Sequence, residues 1–290
     1  MAIFSNVVLL CLVSAVFGAF VNILARKILI HPEYSTEDFL PINFLFTFTT
    51  LAVLAPWFWK FHPGPTTYYW MGTMLLVDFF GNWFGFRGAS KVKASTYSLV
   101  MAFSPLVTIA LVAVTGGKAT LSLPMVAGVF GVIAGLGMVS WSAAGGGSIR
   151  DDWRLLYYPI TAMLIMGVGV YLSKHFLQSG DISSYSYMFI RYAFLLVSMA
   201  LVFRPKKWKV CLRLSWRRIW GRSMLVIVQW WSLSQALLVG NLVVVKSLTD
   251  SVPIFVAIIA LISGFEKPKR LELVGIIIAT VGIMTIIRFS

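Results

Sequence analysis

VKSLTDSVPIFVAIIALISGFEKPKRLELVGIIIATVGIMTII, residues 245–287, decides the fold. It holds two apolar runs separated by the polar break EKPKR. Neither run alternates with period two, so both read as helices rather than barrel strands. Each is near the ~20 residues a helix needs to cross a bilayer. The stretch also carries landmarks: Pro253, Glu266, Gly275 and Gly282. A comparable series occurs earlier. KASTYSLVMAFSPLVTIALV, residues 93–112, places Pro105 at an offset of 148 from Pro253. Gly128 and Gly135 lie 147 before Gly275 and Gly282, and Gly18 lies 149 before Gly167. Anchors kept in order at a nearly constant offset point to a duplication, with halves 1–148 and 149–290.

Working outward, ten apolar runs are candidate spans: 3–25, 39–59, 66–86, 94–115, 123–143, 154–176, 185–203, 219–241, 243–263 and 270–288. The breaks carry loop chemistry, as in HPEYSTED, KFHPGPT, TGGKATLS, GGGSIRDD and QSGDISS. Five spans per half is odd, so the second half enters the membrane upside down, the inverted repeat of many secondary transporters. The expected fold is therefore an all-α polytopic membrane protein, with ten transmembrane helices in two inverted five-helix repeats around a central cavity.

Composition agrees. Of 290 residues, 59% are hydrophobic and only 12% charged, about half the charge share of a soluble domain. The net charge of +14 sits in short loops and forms no basic face for nucleic acid. Eighteen of the 24 Lys and Arg fall after the odd-numbered spans, eight of them between Arg204 and Arg222. The positive-inside rule puts those loops in the cytoplasm and both termini outside. Segment 204–222 is expected to lie as an amphipathic loop on anionic lipid. The opening MAIFSN lacks the positive charge of a secretory signal. Two cysteines, Cys11 in a span and Cys211 in the basic segment, make neither an expected disulfide nor a metal site. The expected location is a bacterial inner (plasma) membrane.

Further features resemble one family. Phe17-Gly18 stands in span one, followed by the basic pair Arg26-Lys27. FIRYAFLLVSMALVF places Arg191 early in span seven, and the two stretches quoted above supply the ordered Pro, acidic residue, Gly and Gly. The chain resembles the drug/metabolite transporter superfamily, in its ten-span EamA-like branch, over nearly its whole length. The resemblance implies a basket of helices, a central cavity lined largely by spans one, three, four, six, eight and nine, and alternating access. The family's substrates range over amino acids, sugars, nucleotide sugars, phosphosugars, quaternary amines and lipid-linked sugars, so the fold does not fix one. Two departures stand out. The arginine of span two is missing, with Ile42 and Asn43 in its place. Many family members also keep both termini in the cytoplasm, against the charge count here.

Ionisable groups inside spans cost about 2.5–3.5 kcal/mol at the centre of a helix, which makes them candidates for function. Asp78 is expected to face the cavity, with Asn82 one turn later; a hydrogen bond to a neighbouring helix is the plainer alternative. Gln229, Trp230, Trp231 and Gln235 of span eight offer indole faces for a ring or a cation, although tryptophan also anchors at interfaces. Lys246 and Asp250 are four apart, on one helix face. They suit a substrate contact or an internal salt pair, and Lys246 could instead snorkel to the interface. Pro253 would leave the Thr249 carbonyl free for Lys246 or a ligand. Tyr97, Asn22 and Tyr171 complete the candidate set; residues of these types pack more often than they bind. Arg191 is expected to tie helices together or meet the interface.

These residues favour a secondary transporter for a small polar or amphipathic metabolite, a zwitterion such as an amino acid fitting the mixed charges. The alternative is a flippase for a lipid-linked sugar or an exchanger of nucleotide sugars or phosphosugars, suggested by Arg87, Lys91 and Lys93. No G-x-x-x-x-G-K-[ST] loop occurs, so no nucleotide cofactor is expected, and energy would come from a coupling proton, a counter-substrate or the solute gradient. No metalloprotease helix or nucleophile elbow marks an enzyme. A retinal-type receptor would need Lys246 with Asp78 as its counterion.

Overall fold

The computed structural model describes residues 2–29, 31–92, 97, 100, 101, 103–115, 122–143, 153–252, 254, 255, 258, 259 and 270–289. Among them are ten α-helices: α1 (Ala2–Leu29), α2 (Thr36–Phe58), α3 (Thr67–Lys91), α4 (Ser104–Val114), α5 (Leu123–Ala143), α6 (Tyr157–Gln178), α7 (Ser184–Phe203), α8 (Trp208–Val239), α9 (Leu242–Thr249) and α10 (Arg270–Phe289). Each falls on one of the ten apolar runs. The chain is an all-α polytopic membrane protein: α1, α2, α6 and α7 contain stretches both long and apolar enough to cross a bilayer, and shorter apolar helices accompany them. Pro253, Glu266 and the break up to Lys269 lie outside the described residues.

One expectation is corrected. Segment 204–222 is not a loop, because α8 begins at Trp208 and runs unbroken for 32 residues. At 1.5 Å per residue that is ~48 Å, well beyond a ~30 Å hydrocarbon core. The basic first turns therefore extend past the lipid as part of the helix. Cys211, Ser215, Ile219, Arg222 and Val226 form its buried stripe, while Lys209, Arg213, Arg217 and Arg218 are exposed. Exposed aromatics gather at both ends of the molecule. Trp57, Trp59, Tyr68 and Tyr69 stand at one end, and Trp141, Tyr157, Trp208, Trp216 and Trp220 at the other, in the manner of interfacial belts.

Local chemistry sets the helix ends. Ser35 and Asp38 close a reciprocal capping box at the start of α2, and Asp38 also accepts from the Lys207 backbone N–H at 2.8 Å. Ser183 caps α7 and Asn241 caps α9. Such caps satisfy backbone donors that would otherwise be orphaned. The loop after α2 and the loop before α7 join as a two-residue antiparallel pairing, β1 (Phe61–His62) on β2 (Asp181–Ile182), and Lys60 meets Asp181 at 2.6 Å.

Packing repeats when the first five helices are exchanged for the second five. The α1–α8 contact has its counterpart in α6–α3, α4–α6 in α9–α1, and α2–α8 in α7–α3, while α2–α7, α4–α9 and α5–α10 map onto themselves. In the last pair Gly128 lies against Gly282 and Gly135 against Gly275, so α5 and α10 run antiparallel. The glycine anchors of the sequence thus meet one another. A Cβ on Gly135 would lie 2.4 Å from the Gly275 carbonyl oxygen and 2.5 Å from the Ala279 nitrogen. Where lipid supplies no hydrophobic drive between helices, such close approach is how they associate.

Gly135→Ala is therefore expected to lower stability by about 1–3 kcal/mol through overpacking. Gly72→Ala, where nothing lies within 4 Å, should be neutral or raise stability by up to about 1 kcal/mol through helix propensity. Thermal unfolding in detergent reads both, and equal midpoints would contradict the close crossing.

Candidate functional site

Pro105 has no N–H, so the helix of span four cannot make its regular bond there. The chain tightens instead: Phe103 N–H donates to Val100 O and Leu106 N–H to Phe103 O, each across three residues. Span nine repeats both bonds at an offset of 148, from Ser251 N–H to Leu248 O and from Ile254 N–H to Ser251 O. Asp250 and Ser251 form a turn between α9 and the helical residue Val252. The two spans are thus interrupted at equivalent points, and α4 and α9 touch each other.

Asp250 joins them. Its Oδ1 accepts from Lys246 Nζ at 2.8 Å, and its Oδ2 accepts from the Ser104 hydroxyl at the first residue of α4. The Lys246 side chain is only 7% exposed, while that of Asp250 keeps 19%, so the carboxylate is the more open member. Lys246 carries three N–H donors and makes this one bond among the described residues. The neighbouring Ser247 hydroxyl is buried without a partner. Every residue of α9 is buried, which rules out Lys246 at the interface.

Glycines bring the flanking helices in. A Cβ on Gly18 of α1 would lie 2.9 Å from both Gln229 Nε2 and Val252 Cγ2. Its counterpart Gly167 on α6 stands equally close to Val107, and its carbonyl accepts from Thr108 at 3.1 Å. Gln229 therefore lies at the α1–α8 contact, with Val252, two residues after Asp250, on the other side of Gly18.

Asp78 does not. It is buried against Arg191, whose Nη2 donates to Oδ1 at 2.9 Å and whose Nε lies 2.6 Å from Oδ2. The Trp230 ring covers the guanidinium at 3.4 Å from its centroid. The plainer reading of Asp78, a tie to a neighbouring helix, is the one observed, and Arg191 is the tie. Asn82 donates back to the Asp78 backbone carbonyl. With Asp78 on Arg191 and Lys246 on Asp250, the Lys246–Asp78 pairing that the retinal-type receptor reading required is not formed.

The remaining candidates scatter. Trp231 is half exposed. Asn22 is exposed on α1 and Gln235 half-buried on α8. Tyr171 packs on His175 at 4.4 Å, and His175 stacks on Trp70. Tyr97 lies over Gly85 and Gly88 of α3. Two features escaped the sequence reading. Ser104 lay inside span four, 94–115, with no role assigned to it. Arg222 was counted with the basic loop, although the 211–215–219–222–226 stripe already places it on a buried face. It donates to Asn43 Oδ1 and lies over the Phe86 ring at 5.2 Å.

Comparison with known proteins bears on this arrangement. Residues 154–288, the second five helices, match the EamA-like transporter family. This half of the chain is thus similar to the EamA-like family, which belongs to the drug/metabolite transporter superfamily. Its EamA-like members are transporters rather than enzymes, and this chain is an integral membrane protein of that type. A crystal structure with 15% sequence identity covers 97% of the transporter and is itself covered to 96%, with a TM-score of 0.72. That likeness shows the fold. No curated protein sequence matches.

Removing one partner of a buried ion pair costs about 3–5 kcal/mol. Asp78→Asn and Arg191→Gln should each destabilise the transporter on that scale, and the double variant should lose less than their sum. Denaturation of the three purified proteins checks this; additive losses would contradict the pair.

Proposed function

We propose that the transporter is a secondary carrier of a small polar or amphipathic solute, with a zwitterion such as an amino acid as the best-fitting class, and that it works by alternating access. The Lys246–Asp250–Ser104 cluster at the two interrupted helices carries this reading. A helix interruption frees backbone groups at mid-membrane, where transporters place substrate and ion sites. Asp250 offers a carboxylate for an ammonium group or a coupling proton, and Lys246 offers donors for a carboxylate. The Ser247 hydroxyl adds a neutral polar group beside them, and Gln229 another at the α1–α8 contact.

In this mechanism the two fives, 1–148 and 149–290, form inverted repeats that rock about the α4–α9 contact. The symmetric neighbour relations and the matching pairs of tightened turns support that division. Solute entering from one side displaces part of the Lys246–Asp250 pair, and release on the other side restores it. Energy comes from a gradient or from exchange. The basic ends of α3 and α8 face the cytoplasm, both termini face away from it, and the membrane is a bacterial inner (plasma) membrane. Anionic lipid meets the exposed basic face of α8. The sugar-exchanger alternative loses support at Arg87, which is ion-paired with Glu37 at 2.7 Å.

A charge-assisted hydrogen bond contributes about 1.5–3 kcal/mol, so Asp250→Asn should slow uptake about tenfold or more. Uptake of a panel of labelled zwitterions into proteoliposomes measures it. Lys246→Asp combined with Asp250→Lys keeps an i, i+4 pair; it should fold and fail to transport. Full uptake by that swapped protein would reduce the pair to a helix staple.

A further inference from the structure

The two junctions between second and third helices of opposite halves are twins in position and unlike in charge. At one, Arg191 of α7 meets Asp78 of α3. At the other, Asn43 of α2 meets Arg222 of α8. Asn43 stands 148 residues before Arg191, and Arg222 stands one helical turn before the residue 148 beyond Asp78. The first junction is a completed ion pair. The second has its arginine on the other helix and, among the described residues, no acid.

Arg222 is 7% exposed, its Nε is buried without a hydrogen-bond partner, and its Nη1 donates only to the neutral amide of Asn43. Among the described residues no carboxylate lies within ion-pair distance of it. Phe86 and Phe39 present ring faces at 5.2 and 6.0 Å. Tyr192, within electrostatic reach of both arginines, is the nearby titratable group from α7. Rings and an amide compensate a buried guanidinium poorly, because a desolvated charge calls for an opposite one. Its planar fork of donors matches an oxyanion. Arg222 lies 17 residues from Val239, ~26 Å along α8, near the basic end of the molecule, and exposed Arg218 stands one turn further out.

The geometry points to Arg222 as an anion-binding residue, which draws a carboxylate or phosphate group into the α2–α3–α8 junction, where that group plays the part Asp78 plays for Arg191. The oxyanion belongs either to a solute or to a lipid headgroup. Only the identification of a bound solute as transported cargo rests on the carrier reading above.

The test is thermal unfolding of the purified full chain in phosphatidylcholine nanodiscs. Inorganic phosphate or succinate is titrated at constant ionic strength against chloride. Wild type and Arg218→Gln should show a saturable rise in melting midpoint, and Arg222→Met should show none. Without added anion, Arg222→Met should melt no lower than wild type, because an unpaired buried charge has been removed. A second arm uses phosphatidylglycerol nanodiscs without soluble anion. Stabilisation there, lost in Arg222→Met and not reproduced by phosphate or succinate, assigns the oxyanion to lipid. The proposal is overturned if neither arm stabilises wild type, or if Arg222→Met responds equally. It is also overturned if Arg222→Met melts well below wild type or fails to fold, which would make the guanidinium a helix tie through Asn43. Binding is read without transport, so failure here leaves the Lys246–Asp250 reading standing, and the reverse holds too.

Discussion

Lipid offers no hydrogen bonds, so every polar group carried into it must find its partner within the protein. That constraint orders the interior of this chain. Asp78 is held by both of its oxygens on Arg191, and Trp230 covers the guanidinium. Asp250 takes Lys246 on one oxygen and Ser104 on the other. Lys174, half-buried on α6, donates to the Gly240 carbonyl at the end of α8 at 2.7 Å. Each contact joins polar groups that hydrocarbon would penalise, and together they fix which helices neighbour which.

Two of these centres differ in what they leave over. The Asp78–Arg191 pair is buried on both sides, leaves the Arg191 Nη1 without a hydrogen-bond partner, and suits a structural tie between α3 and α7. The Asp250 centre keeps a partly open carboxylate, an under-used ammonium and a buried hydroxyl without a partner. It also lies where two helices are interrupted at matching positions. A site that must bind and release needs such spare capacity, and a staple does not.

Much of this was legible in the residues. Apolar run length gave all ten helices, because crossing hydrocarbon fixes a minimum length that breaks such as QSGDISS delimit. The glycine anchors marked the repeat, and the structure shows them meeting at the α5–α10 crossing, where only glycine permits that approach. The spacing of Lys246 and Asp250 put them on one helix face, with an ion pair as one of the outcomes it allowed. What stayed hidden depended on the other half of the chain. Whether Asp78 faced a cavity or a partner turned on Arg191, 113 residues away. Ser104 reaches Asp250 across 146 residues, and no local pattern announces that. Arg222 was misplaced because charge density was read as loop, when the apolar and small residues at 211, 215, 219 and 226 continue a helix face through it.

Alternating access requires the α4–α9 centre to be reached from both sides of the membrane in turn. Ser104→Cys in a background lacking Cys11 and Cys211 puts one thiol at that centre. Labelling by a membrane-impermeant maleimide, applied to right-side-out and then to inside-out vesicles, is the direct measurement. Alternating access predicts labelling from each side, slowed from both by a transported solute. A thiol that reacts from neither side, or from one side only whatever solute is present, would contradict it.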